Sequence, residues 1–235
     1  MRPLWFFVCL ISPLAVCSQT GNSYLPDSAA KYAYELYAKR VMGESLIYNG
    51  TDYVRYIPLK DEHPFFLSDD WLPATISYDD QVYEDVWMYY NTFTDNVIIE
   101  NYNFSANIQL IKERIDFFVL EGRRFILAEH STLPWGFYEL AYDGETRVLV
   151  KHFKQFHESI QGGELIHKFL EKARYYVYQN NAYHQVKSKG SVLKLLKENR
   201  REINQEFRKT HLQFSAEPIA SIAMLARLND QINSR

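Results

Sequence analysis

Ser191 and Lys194 lie in KSKGSVLKLL, residues 187–196, at the Ser-x-x-Lys spacing that serine β-lactamases use for nucleophilic attack. That chemistry also needs a Ser-Asp-Asn and a Lys-Thr-Gly element downstream. Neither exists, since Lys209-Thr210-His211 lacks the glycine. A phosphate-cradling loop needs four residues between two glycines before its lysine, and this stretch has only Gly190. What remains is a helix start, with Ser188 or Ser191 accepting a hydrogen bond from a free N–H of the first turn. Glu129-His130-Ser131 has the residue types of a hydrolase triad. Adjacent residues on a strand point apart, however, and no Gly-x-Ser-x-Gly elbow is present. The seven histidines (His63, His130, His152, His157, His167, His184 and His211) show no His-x-x-x-His or His-Glu-x-x-His spacing. Asp69, Asp70, Asp79 and Asp80 would suit glycoside hydrolysis or calcium only if the fold gathered them, and such doublets read first as solvated turn formers. No catalytic residue, metal ligand or cofactor is predicted.

Aromatic side chains are the remaining candidates for contact with a ligand. Trp71, Trp87 and Trp135 sit among many tyrosines, which suit sugar stacking or an apolar cleft as well as ordinary strand packing. Trp71 and Trp135 are the candidate ligand-binding residues. Trp135 follows Pro134 and precedes Gly136 at a loop-to-strand entry, where binding side chains concentrate. Residues 187–209 carry eight Lys or Arg against three Glu. A basic helix over 189–209 is therefore a candidate for peripheral contact with anionic headgroups, or else a solvated face with Lys194–Glu198 and Glu198–Arg201 pairs.

The elements that must position these residues follow from composition and period. The chain has 235 residues, a formal charge of −3 and 16% aromatic residues, including 18 Tyr and 15 Phe. Such a composition favours half-buried pleated surfaces and gives no chain-wide reason to expect nucleic acid. Residues 27–45 read as an N-terminal helix, with Asp27 or Ser28 as cap and Gly43 as stop. Hairpins are predicted around Asp79-Asp80, near Thr94-Asp95, and around Glu121-Gly122, Asp143-Gly144 and Asn180-Asn181, with Asp143-Gly144 the strongest signal. About ten strands over 46–187 imply an antiparallel meander. After Lys187 the period becomes helical. Val192, Leu193, Leu196, Ile203 and Phe207 form one stripe, and a second helix starts at Pro218. The fold class expected is α+β, mainly β: a curved sheet or partly open barrel, with an N-terminal helix and two C-terminal helices over 188–235. Residues 19–235 read as one domain.

Residues 1–18 read as a signal peptide, with Arg2 before the apolar run PLWFFVCLISPLAV. Cleavage after Ser18 leaves Gln19 first. The alternative is a lipidated Cys17, although Val16 stands where a small residue is wanted. Cys9 and Cys17 are the only cysteines, so cleavage after Ser18 removes disulfides and thiol chemistry.

ATISYDDQVYEDVWMYYN (74–91) and YYVYQNNAYHQVKSKGSVLKLL (175–196) resemble a family of uncharacterised exported Bacteroidetes proteins with a β-rich body and a C-terminal hairpin-helix element. The likeness covers most of the chain after residue 46. It implies an envelope-resident protein, in the periplasm or associated with the outer membrane, and carries no activity, cofactor or catalytic residue. Asp27-Ser28-Ala29 also resembles the O-glycosylation acceptor of that phylum, although a helix cap explains the same letters. Three functions stay open: a non-catalytic binding module with an unknown envelope partner, a carrier of an apolar ligand such as a lipid held between sheet and helices, or an envelope-polymer hydrolase using carboxylates. Nucleic acid is not an expected partner.

Overall fold

The computed structural model describes residues 46–54, 62–101, 106–162 and 164–235. All belong to the compact unit Met42–Arg235. The signal peptide expected over 1–18, with Cys17 and Ser18, and the helix expected over 27–45 lie outside the described residues.

The described residues form eleven strands: β1 (Thr51–Tyr53), β2 (Leu72–Tyr78), β3 (Gln81–Asn91), β4 (Asn96–Glu100), β5 (Asn107–Gln109), β6 (Ile115–Leu120), β7 (Arg123–His130), β8 (Leu133–Tyr142), β9 (Val148–Gln161), β10 (Glu164–Gln179) and β11 (Ala182–Val186). They form one antiparallel sheet in the order β1-β5-β4-β3-β2-β6-β7-β8-β9-β10-β11. Two meanders, β2 to β5 and β6 to β11, therefore run outward from the β2–β6 seam, and β1 adds to the edge of the first by pairing with β5. Three of the predicted turns are two residues long with both φ values positive: Asp79-Asp80 (50° and 61°), Glu121-Gly122 (49° and 70°) and Asn180-Asn181 (52° and 60°). That backbone twist matches the flanking strands.

Asp143-Gly144 behaves differently. β8 ends at Tyr142 and β9 begins at Val148, so the connection is longer than the two residues predicted. The C-terminal helix is the reason. Asp230 accepts hydrogen bonds from Tyr142 Oη (3.1 Å) and Thr146 N (3.1 Å), and a Cβ on Gly144 would collide with its carboxylate. Docking of the helix overrides the local turn preference.

The sheet is strongly curved and does not close. The Tyr90 ring on β3 lies 6.0 Å from Phe137 on β8. With β2, β6 and β7 between them, a flat sheet would hold those rings about 19 Å apart. Tyr90, Phe118, Phe125 and Phe137 fill the concave side with Ile76, Met88 and Ile99, all buried.

The helical region comprises α1 (Lys189–Leu195), α2 (Arg200–Phe207) and α3 (Pro218–Asn233). The stripe expected on one helix through 192–207 is thus divided at Leu196–Asn199. The Asn199 amide bonds Asn229 (3.1 Å) and Asn233 (2.5 Å) and ties the break to α3. Both halves still pack on Val148, Val177 and Val186, together with Ile222 and Leu225 of α3. The basic residues accordingly do not share one continuous helix: Lys189 lies over the Phe207 ring at 4.5 Å, and Lys209 pairs with Glu206 at 2.6 Å. No described helix is long and apolar enough to cross a membrane.

Ser188 and Ser191 form a reciprocal capping box on α1, with Ser191 N donating to Ser188 Oγ (3.2 Å) and Ser188 N donating to Ser191 Oγ (3.0 Å). The hydroxyl of Ser191 donates to Ser188 O at 2.6 Å, so it is engaged by the backbone. Ser188→Ala should lower stability by about 1 kcal/mol, the usual worth of such a cap, read as a lower urea midpoint with unchanged slope. An unchanged midpoint would show that the box contributes nothing.

Candidate binding face

Three polar constellations can be built from the elements above. The first fills a gap in the sheet. Pairing between β8 and β9 runs from Tyr142/Val148 to Glu139/Val150 and goes no further. The turn after β3 enters the space: Lys154 N of β9 donates to Thr92 O (3.4 Å), and Phe137 N of β8 donates to the Asp95 carboxylate (3.2 Å). Asp95 also accepts from Tyr90 Oη (2.7 Å) and pairs with Lys112 and with Lys151 (2.6 Å). All three charged side chains are largely buried. Burial pulls Lys151 below the ordinary lysine range while Asp95 acts the other way. Burial also pushes the Tyr90 hydroxyl well up, reinforced by the Asp95 charge. Gly136 (φ 152°) is required here, because a Cβ would meet the Asp95 carboxylate and lie 2.6 Å from Lys151 Nζ. Trp135 covers the group, with Lys112 Nζ 4.5 Å from its ring centre, and remains 45% exposed.

The second constellation is Glu139–His152–Arg123. His152 Nε2 lies 2.5 Å from Glu139 and Arg123 lies 3.2 Å from it, with Glu139 and His152 both buried. Burial alone would raise the Glu139 pKa; the His152 hydrogen bond and charge, together with Arg123, outweigh it and hold the carboxyl below its usual 4.5. The neighbouring cleft, of about 580 Å³, runs from Gly122–Arg124 to Pro218–Ala220 at the start of α3.

The third is an open cleft of about 530 Å³ lined by residues that include Ile126, Ala128, Glu129, His130, Leu133, Glu145, Arg147, Tyr178 and Tyr183. Strand register builds it. Tyr178 and Tyr183 face each other across the Asn180-Asn181 hairpin, with ring centres 4.9 Å apart. His130 meets Tyr183 edge-on at 5.4 Å. Thr132 N donates to His130 Nδ1 (3.2 Å), which leaves the proton of the neutral ring on Nε2, and Thr132 Oγ1 accepts from Tyr183 N (2.9 Å). His130 is thereby oriented by Thr132 rather than by Glu129 or Ser131. Arg147 is held by Asp143 at 2.8 Å. The result is a rigid ring-lined wall with a guanidinium and two carboxylates at its margins.

No family model, curated protein or solved structure matches this chain.

The two predicted tryptophans occupy separate places. Trp71 is the outer ring of a stack, 3.9 Å from Tyr89, which in turn lies 4.2 Å from buried Phe65. Trp135 belongs to the Asp95 group. Neither lines the His130 cleft. The aspartate doublets sit in separate turns: Asp70 bonds Ser68, and Asp79 pairs with Arg114 at 3.3 Å. Among the described residues, no three His, Cys, Asp or Glu side chains are grouped to hold a metal ion. Tyr178, Tyr183 and Arg147 are not among the predicted site residues. A two-residue turn at Asn180-Asn181 already sets Tyr178 opposite Tyr183, so that pair was the available signal.

Proposed function

We propose that this is a non-catalytic binding module of an exported, envelope-resident protein, and that its ligand is a polyhydroxylated chain seated on the outer face of β7–β11. The observation that carries the reading is the His130–Tyr178–Tyr183 cleft. Three rings offer an apolar wall, while Arg147, Glu129 and Glu145 supply a donor and two acceptors at its margin. Shallow clefts of rigid aromatics with a few polar groups suit the mixed faces of a sugar. The carrier reading draws less support, because packed rings and aliphatic side chains occupy the concave face of the sheet and its junction with the helices.

The test is isothermal titration of the mature protein with cellohexaose, chitohexaose and decagalacturonate. At least one should bind, and Tyr183→Ala should weaken it about ten-fold, the worth of one well-placed aromatic contact. Failure of all three to bind, or equal affinity in the variant, would reject the reading. Glu129 and Glu145 line the same cleft, which favours hydrolysis as a second reading. Release of reducing ends that is lost in Glu129→Gln would put it first.

A further inference from the structure

Most of the cations on the long β9–β10 ribbon share one face. Cross-strand pairing sets Lys151 opposite Arg174, Phe153 opposite Lys172, Gln155 opposite Leu170, and His157 opposite Lys168. By strand alternation these eight side chains share one face of the ribbon. Three are exposed cations in a row on β10: Lys168, Lys172 and Arg174. None has a carboxylate partner within ion-pair distance among the described residues. Lys172 donates to Gln155 Oε1 at 2.6 Å, and Arg174 lies over the Phe153 ring at 4.6 Å, which fixes both heads above the strands. A broad trough of about 930 Å³ lies over this region, lined by residues that include Phe153, Gln155, His157, Leu170, Lys172 and Arg174. The acids Glu158 and Glu171 fall on the opposite face, and Glu164 shares the face of the row beyond Lys168 at the turn end of the ribbon.

We infer that this row is an anion-reading extension of the His130 cleft, and that the chain it takes is an acidic polysaccharide carrying carboxylate groups along its length. The inference rests on the glycan reading above and names the class of glycan. Leu149 and Tyr176 lie between the two regions on the same strand faces but are buried with Leu133 and Tyr138, and Tyr178 to Lys168 spans about 33 Å at the rise of a strand. One extended chain that engages both passes over that covered stretch, with its sugar rings against the tyrosines and its carboxylates along the lysines. A bilayer fits less well. The two most exposed large apolar side chains, Ile160 and Leu165, pair with each other on the opposite face, so one flat surface cannot take both sets.

The probes are decagalacturonate and its fully methyl-esterified form, which keeps the chain and removes the charge. The acidic form should bind the mature protein at least ten-fold more tightly at low salt, and that preference should shrink as salt rises. K168S/K172S/R174S should abolish the preference, with K168R/K172R retaining it, and circular dichroism checks the fold of each. Equal binding of the two forms, still lost in Tyr183→Ala, would overturn the anionic reading and leave the binding module standing. Binding of neither form would overturn this inference, while cellohexaose or chitohexaose binding would keep the module. Tighter binding of phosphatidylglycerol vesicles or single-stranded DNA would overturn it in favour of those partners.

Discussion

Asp95→Ala should destabilise the protein by about 3–5 kcal/mol, the usual cost of stripping one partner from a buried charge pair. The alanine removes the carboxylate that both Lys112 and Lys151 pair with among the described residues while leaving both ammonium groups largely buried. It also withdraws the acceptor from Phe137 N and from Tyr90 Oη. Two cations would then face each other in a low-dielectric gap with no neighbouring strand to take the Phe137 N–H. The loss should appear as a large drop in urea midpoint. Asp95→Ala/Lys151→Met should recover part of it, because an apolar side chain at 151 removes one of the stranded charges. A loss below about 1 kcal/mol would mean that water reaches the group and screens it as at an exposed pair.

The second large effect is a dependence on acid. Glu139 is held below its usual 4.5 by His152 and Arg123 against the opposing effect of burial. A carboxyl whose folded pKa is depressed stabilises the fold above its unfolded pKa, and that contribution fades as the pH falls through the folded value. Native stability should therefore decline as the pH drops below about 4.5, and Glu139→Gln should flatten that part of the curve. At pH 7, Glu139→Ala should cost about 3 kcal/mol, since it leaves buried His152 without its partner. Urea midpoints for both variants across pH 3–7 decide the matter. Parallel curves for the native protein and Glu139→Gln would exclude the carboxylate as a source of acid sensitivity.

These two sites show where reading the sequence reaches its end. Asn180-Asn181, Glu121-Gly122 and Asp79-Asp80 are local signals, and their registers follow from turn geometry alone. The Tyr178–Tyr183 pair of the cleft was therefore legible, as was the Ser188 cap. Asp95 was not, because its partners come from Tyr90, Lys112, Phe137 and Lys151 and share no spacing. The same holds for Asp143-Gly144, where an aspartate from the last helix replaces the expected turn. The ribbon from Lys154 to Ala173 carries no clear strand signal in the sequence for a different reason. Both of its faces meet solvent over much of their length, so its apolar residues show no clean alternation.

The strand order also sets an entropic sequence of assembly. The hairpins on either side of β2–β6 join residues that are close along the chain, so each can close quickly and fix its own register. The seam itself pairs Ala74 with Leu120, across the whole β3–β5 excursion. Closing that loop must precede any gain from the Tyr90–Phe137 contact, so the seam, like the longer closure of Thr51 onto Gln109, carries an entropic cost that the ready-made hairpins do not.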